Sequence, residues 1–166
     1  MKRLLCIFLS LLLLITLSSC STSGTAKTNS VTFYYRTNEI SHGGNDGVII
    51  ANTRKTEIDS TDYTNLIKEY LKGPTSYDCI SPFPAGISLV ELNIRNNKVQ
   101  IEVSAHLAVL SGAELSVACA CLTKTIFELT GITTVQISAT DSLLNNKTSL
   151  TFNTLNIELQ DVAGID

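Results

Sequence analysis

The chain has 166 residues, enough for one domain with a substantial core but too few for two comfortable ones. Its 15 acidic residues outnumber its 12 basic residues, which gives a net charge of −3. This balance argues against a nucleic-acid partner, which needs clustered Lys and Arg, and against a polybasic membrane-binding patch.

The first 19 residues have the pattern of an export signal. Two basic residues precede an almost unbroken apolar stretch, and two serines follow it. The stretch is shorter than the roughly 20 residues of a comfortable membrane span. The ending Leu-Ser-Ser-Cys resembles the lipobox of bacterial lipoproteins, which implies that Cys20 becomes the lipidated first residue of the mature chain. Ordinary cleavage near Ser19, which leaves Cys20 as a thiol, is the alternative.

These features predict three parts: a lipoprotein signal peptide at 1–19, a lipid-anchored flexible tether at 20–30 and a single domain at 31–166. The tether is predicted because its residues are small, polar and without periodicity. We therefore expect the domain to be held by its lipid at the extracytoplasmic face of the cell membrane.

The first predicted elements are two strands and a helix. Val31–Tyr35 is β-branched and aromatic, a loop with glycines follows at 42–47, and Val48–Ala51 is predicted to be a short buried strand. Asp59 or Ser60 is the expected helix cap, and Gly73 with Pro74 ends the helix. Its apolar stripe recurs at helical spacing and comprises Tyr63, Leu66, Ile67, Tyr70 and Leu71.

A β-hairpin follows, with Asn96-Asn97 as its two-residue turn. Counting outward from the turn gives three apolar pairs on one face: Ile94 with Val99, Leu92 with Ile101, and Val90 with Val103.

The other face of this hairpin is polar and is the candidate binding surface. A one-residue slip would bury its charges, so the register is fixed. Glu91 lies opposite Glu102, where two solvated carboxylates are favoured over a cation site. The candidate binding residues are Asn93, Arg95, Lys98, Gln100 and Glu102.

The second helix is predicted to open at Ser111, with Glu114 completing a capping box, and to end at Gly131. A strand follows at Thr134–Ala139, and Leu150–Phe152 is expected to be either a last short strand or an extended arm. The apolar stripe of the helix comprises Leu115, Ala118, Cys119, Leu122, Ile126 and Leu129.

The cysteines offer little chemistry. Cys119 and Cys121 point to opposite sides of the predicted helix, which excludes a shared metal or a mutual disulfide. Cys119 is expected to be a small buried apolar residue, and a bridge from Cys79 to Cys121 is left open. Asp78 makes Cys79 a poor nucleophile because a neighbouring carboxylate raises a thiol pKa.

Two helices and about five strands, with one hairpin face left bare, predict an α+β fold. Both helices should pack on one face of a small mixed or antiparallel sheet.

Five runs of the sequence carry distinctive turn and packing signals: Leu71–Pro74, Pro84–Gly86, Val99–Ser104, Leu122–Ile132 and Thr134–Ile137. Together they resemble the GerMN domain of bacterial sporulation and spore-germination proteins over residues 63–137. The sequence departs from the family pattern at 139–141, where the family often has a turn containing glycine. The resemblance implies an extracytoplasmic module, similar in fold to the ring-building modules of secretion systems, that assembles with envelope or sporulation proteins.

No catalytic motif, metal-ligand spacing or cofactor-binding loop accompanies this pattern. His106 with Glu102 could form a base and its orienter, but a surface histidine is favoured, and His42 lies in the glycine loop. We therefore expect no enzyme, no cofactor and no metal.

A non-catalytic assembly module is the expected function, with a homo-oligomer left open. The alternative is a binding module for peptidoglycan, sugar or a small ligand. Five tyrosines offer some aromatic surface for sugars, although two of them lie on the predicted core stripe and Trp is absent.

Overall fold

The structure, a computed structural model, describes residues 28–38, 48–154 and 157. The predicted signal, Cys20 and nearly all of the predicted tether lie outside the described residues, as does the predicted loop with His42.

The first sheet is antiparallel, with strand order β2-β1-β3. Its strands are β1 (Asn29–Thr37), β2 (Ile49–Thr56) and β3 (Cys79–Ile80). β1 begins two residues before the predicted start. β2 is longer than the predicted strand and is not buried, because it lies at the edge of the sheet and its residues alternate between half-buried and exposed.

The first helix, α1 (Tyr63–Leu71), buries four residues of its predicted stripe, and Tyr63 is half-buried. The predicted cap was wrong: Asp59 instead accepts a hydrogen bond from the Thr61 N–H at 2.8 Å. Asp62 caps the helix and accepts from the Asn65 N–H at 3.1 Å. The chain leaves α1 through Gly73, whose φ of 102° suits glycine and confirms the predicted end.

The second sheet has the order β4-β5-β6-β7. Its strands are β4 (Leu89–Arg95), β5 (Lys98–Val103), β6 (Thr134–Ala139) and β7 (Leu150–Asn153). The β4–β5 and β6–β7 pairs are antiparallel, whereas β5 and β6 are parallel. Parallel neighbours need a crossover connection, here a short 3₁₀ helix (Ala105–Val109) and the second helix, α2 (Gly112–Thr130).

The second helix starts and ends where the sequence predicted. Gly131 has a φ of 70°, and its N–H donates to the Phe127 carbonyl at 2.7 Å. Ser111 is the N-cap, but its side chain makes no capping hydrogen bond, so the predicted capping box was wrong. Gly112 follows with a φ of 55°, so the first turn lacks the regular geometry on which a capping box depends.

The burial of α2 extends well beyond its predicted stripe. Ala120, Cys121, Thr123 and Thr125 are buried as well, because the helix contacts β1 of the first sheet and both β6 and β7 of the second. The other helix, α1, contacts β4. The apolar sides of both helices and of β5 and β6 join in one core. The α+β class with both helices on one face of a mixed sheet is confirmed, and β1–β3 form a further sheet.

Tyr70 of α1 is the centre of an aromatic cluster in this core. Its ring centroid lies 5.4 Å from Phe33, 5.0 Å from Tyr35 and 5.5 Å from Phe83. Its hydroxyl donates to the Tyr34 carbonyl at 2.8 Å. Burial raises the pKa of Tyr70 well above its ordinary value, so the hydroxyl keeps the proton that it donates.

The edge of β1 that faces the helices is closed by side chains. At Tyr34 the backbone carbonyl accepts from Tyr70, and the backbone N–H donates to Thr125 Oγ1 at 2.9 Å. An open strand edge exposes unpaired backbone groups, and these two bonds satisfy them at this point. They also fix both helices against β1.

Arg54 of β2 holds the C-terminal end of α1. Its guanidinium donates to the carbonyls of Glu69 at 2.9 Å and Gly73 at 3.3 Å. The guanidinium carbon lies 4.6 Å from the centre of the Phe33 ring. The last carbonyls of a helix have no partner within the helix, so this side chain supplies one.

Candidate functional site

The surface of the second sheet that faces away from the helices is polar, and it contains all five candidate binding residues. It is built by the hairpin of β4 and β5, whose turn residues Asn96 and Asn97 have φ values of 51° and 56°. The register confirms Ile94 with Val99 and Leu92 with Ile101 as apolar pairs. These pairs direct Asn93 and its polar neighbours to the opposite face.

One predicted pair of the hairpin was wrong. Val103 lies opposite Leu89 and not Val90, because a bulge falls between Leu89 and Glu91. Val90 is the extra residue and is 53% exposed, whereas Leu89 packs against the core. A bulge of this kind leaves one residue unpaired and bends the strand.

Strand pairing arranges the polar side chains in three rows that cross the sheet. The acidic row is Glu91, Glu102 and Ser138. The amide row is Asn93, Gln100, Gln136 and Thr151. The basic row is Arg95, Lys98, Thr134 and Asn153. We call these eleven residues the polar face.

Charge is therefore separated along the strands. The acidic row and the basic row are four residues apart on β5, about 13 Å at the rise of a β-strand. Between them lie uncharged amides, which can donate and accept hydrogen bonds.

Gln136 connects the rows through hydrogen bonds. Its Oε1 accepts from Gln100 Nε2 at 3.2 Å and from Lys98 Nζ at 3.3 Å. Its Nε2 donates to Ser149 Oγ at 2.8 Å. The amide is thereby held in one orientation at the middle of the polar face.

The acidic row borders a shallow groove of about 200 Å³. The groove is lined by Glu91, Asn93, Gln100, Ile101, Glu102, Gln136 and Ser138. Glu91 and Glu102 lie opposite each other as predicted. Thr140 donates to Glu102 Oε1 at 2.9 Å, which orients that carboxylate.

The structure brings together all five predicted residues and adds others that the sequence reasoning missed. Gln136, Ser138 and Thr151 belong to the same surface. The alternation of Thr134–Ala139 already placed Gln136 on the polar side of a strand. The missing information was the parallel pairing of β5 with β6, which joins residues far apart in the sequence.

The other candidate side chains do not form a reactive group. His106 Nδ1 lies 3.1 Å from Ser104 Oγ, and Glu102 has Thr140 as its hydrogen-bond partner. Burial and the Asp78 carboxylate raise the pKa of the Cys79 thiol. Burial raises the pKa of Cys119 to about 12, so both thiols are poorly ionised at neutral pH. Cys121 is buried as well and forms no disulfide with Cys79.

Two further findings concern only the described ranges 28–38, 48–154 and 157. No group of three or more His, Cys, Asp or Glu side chains there is arranged to hold a metal ion. No helix there is both long and apolar enough to cross a bilayer.

Comparison with known proteins gives a family and similar solved structures. Residues 32–144 match the Germane family, described as sporulation and spore germination. This range extends beyond residues 63–137, on which the sequence resemblance was based. No curated protein matches the chain in sequence.

Two of the similar solved structures come from the sporulation protein GerM of Bacillus subtilis. Its tandem GerMN domains match with 18% identity and a TM-score of 0.56, over 75% of this chain and 43% of that one. Its first GerMN domain matches with 12% identity and a TM-score of 0.51, over 64% of this chain and 87% of that one. The chain thus spans less than half the length of the tandem structure. At these identities the likeness concerns the fold.

Proposed function

Because the chain belongs to the Germane family of sporulation and spore germination and has the GerMN fold, we propose that it is a non-catalytic assembly module in spore formation, germination or the cell envelope. In this proposal Cys20 carries the lipid that anchors the domain to the extracytoplasmic face of the cell membrane. The polar face is the surface that docks another envelope or sporulation protein.

The observation that carries this proposal is the separation of charge across the polar face. Docking surfaces often set the orientation of a partner by placing opposite charges against each other. Here a partner would place acidic groups at Arg95 and Lys98, and basic groups about 13 Å away at Glu91 and Glu102. The amide row between them can bond backbone or side-chain groups of the partner.

Reversing this charge pattern should abolish partner capture and leave the fold intact. The variant combines Lys98→Glu, Gln100→Glu and Glu102→Lys. Within the chain, Lys98 faces Arg95 and Glu102 faces Glu91, so both reversals replace a like-charged pair with an opposite one. We expect an unchanged unfolding midpoint and loss of the proteins that crosslinking and affinity capture recover from native membranes.

A matched control makes the same change in net charge on the exposed surfaces of the two helices. It combines Lys68→Glu, Ser116→Glu and Glu114→Lys, and capture should persist. Unchanged capture by the polar-face variant would contradict docking through this surface. Retention of the wild-type chain on purified peptidoglycan without other proteins would instead favour the alternative, a peptidoglycan- or sugar-binding module that uses the amide row and the groove.

The proposed anchor has a separate test. Cys20→Ser should abolish labelling of the protein by a fatty-acid analogue and release the protein from the membrane pellet, because the acyl chains have lost their attachment site. Cys6→Ser is the control, since Cys6 lies within the apolar stretch of the signal and should be dispensable for labelling. A label that persists on the Cys20→Ser protein would contradict the anchor and leave the proposal for the polar face untouched.

A further inference from the structure

The free edge of β4 is a second candidate interface, which does not depend on docking through the polar face; only its membrane setting rests on the proposed lipid anchor. β4 is the first strand in the order β4-β5-β6-β7, so among the described strands it has a neighbour on one side only. Arg95 and Lys98 flank the two-residue turn and exchange hydrogen bonds across it. The alternation of an antiparallel ladder then directs the backbone groups of Leu92 and Ile94 outward. Within the described ranges, no other element hydrogen-bonds to them.

Free strand edges are commonly protected by charged side chains, above all lysine, by proline, by bulges or by a covering segment. The bulge protects only the start of β4, and no described element hydrogen-bonds to the outer side of the strand beyond it. β4 contains neither lysine nor proline, and two of its apolar side chains reach solvent: Ile94 is 40% exposed, and Val90 is the exposed bulge residue. Residues 91–95 beyond the bulge remain a regular strand.

The charges of β4 lie opposite like charges on β5. Glu91 faces Glu102, and Arg95 faces Lys98, so each charged residue of β4 meets a like charge on the described strand that pairs with it. In the described part of the chain, no salt bridge includes Glu91 or Arg95.

We propose that β4 pairs antiparallel with β4 of a second copy of this chain, around a two-fold axis at Asn93. In this register Glu91 lies opposite Arg95 of the second copy, and the symmetric pair repeats the contact. Leu92 lies opposite Ile94 of the second copy, and their outward backbone groups exchange hydrogen bonds.

The charges select this register among the alternatives. Residues that lie opposite each other in a sheet point to the same face. The polar residues of the two copies therefore meet only in registers that differ from one another by two residues, and each such register has its two-fold axis at a residue. A two-fold axis at Glu91 would oppose two carboxylates, and an axis at Arg95 would oppose two guanidinium groups. Axes at Leu92 or Ile94 would leave both Glu91 and Arg95 without an opposite charge. Only the axis at Asn93 pairs the charges of both strands.

This pairing would join two four-stranded sheets into one sheet of eight strands with a continuous polar face. Only residues 91–95 of each copy would pair, because the bulge interrupts the strand at Val90. Such a small contact is weak between freely diffusing molecules, and it gains greatly in effective concentration when both copies are held on one surface.

Disulfide trapping tests the axis directly. At the axis, Asn93 faces Asn93 of the second copy in a pair without backbone hydrogen bonds, with Cα atoms about 4.5 Å apart. This separation is within the range of a disulfide. The full-length chain with Asn93→Cys, expressed in a bacterial envelope and oxidised with copper phenanthroline, should give a covalent product of twice the monomer mass.

The matched control is Gln100→Cys, which lies beside Asn93 on β5. Two such residues would be three strand spacings apart, about 14 Å, which is too far for a disulfide. Dimer formation by Asn93→Cys no greater than that of Gln100→Cys or of the unmodified chain would overturn the proposal. A product of Asn93→Cys with a mass other than twice the monomer would assign the edge to a different protein and would also overturn it.

Charge exchange gives an independent test in the Asn93→Cys background. In the proposed register, Glu91→Arg alone places two arginines opposite each other, and Arg95→Glu alone places two glutamates opposite each other. Each substitution should therefore reduce disulfide trapping on the order of 10-fold. Within one chain, Glu91→Arg creates an opposite-charge pair with Glu102, and Arg95→Glu creates one with Lys98. Misfolding of the variants would therefore not explain a loss of disulfide trapping. Co-expression of the two variants should restore trapping between them, and wild-type trapping by both variants alone would contradict the register.

Discussion

Leu122→Ala is expected to lower the free energy of unfolding by about 2–5 kcal/mol. Leu122 is 1% exposed and lies in the middle of α2, within the core that joins both helices and both sheets. Truncation removes buried methyl groups and leaves a cavity, and the cost depends on how far the surroundings can collapse into it. Urea unfolding followed by circular dichroism measures this loss.

The setting of α2 favours the upper part of that range. The helix contacts β1, β6 and β7, so a shift towards one sheet would open a gap at the other. Its position is further fixed by the bond from the Tyr34 N–H to Thr125. The control is Leu143→Ala, which removes the same atoms from a side chain that is 55% exposed, and a change within about 0.5 kcal/mol is expected. Equal losses for the two variants would contradict the burial of Leu122.

Local signals predicted the helices and the hairpin well. The apolar stripe from Tyr63 to Leu71 and the glycines at 73 and 131 are signals within or next to the helices themselves. The helices could therefore be predicted without knowledge of distant contacts. The turn at Asn96-Asn97 fixed the hairpin register, because both residues tolerate a positive φ. The errors were local as well: a cap at Asp62 in place of Asp59 or Ser60, a capping box at Ser111 that does not form, and a bulge at Val90 that alternation alone does not reveal.

Pairing between strands that are far apart in the sequence was harder to predict. The separate sheet of β1, β2 and β3 depends on contacts such as Arg36 with Ile80, which no short pattern encodes. The same holds for the candidate site. Its β4 and β5 residues were predicted from one hairpin, whereas Gln136 joined them only through the parallel pairing of β5 with β6. A polar residue in an alternating strand indicates the solvent side, but not which neighbours share it.

Arg54→Ala is expected to lower the free energy of unfolding by about 2–4 kcal/mol, since hydrogen bonds from charged groups and the contact with an aromatic ring are lost together. The side chain is 13% exposed, and its Nη atoms donate to the carbonyls of Glu69 and Gly73 at the end of α1. Removal leaves those carbonyls without this donor and takes a positive charge from the negative end of the helix. Arg54 Nε is buried without a hydrogen-bond partner, which offsets part of the loss.

Two comparison variants separate the causes. Arg54→Lys keeps the charge but lacks the planar fork that reaches two carbonyls, so its loss should be intermediate. Lys72→Ala removes an exposed ion pair with Glu69 at 2.7 Å and should change stability by less than about 1 kcal/mol. The Arg54→Ala loss should persist at high salt, because buried interactions are screened little. A loss no larger than that of Lys72→Ala would show that Arg54 does not hold α1 against the first sheet.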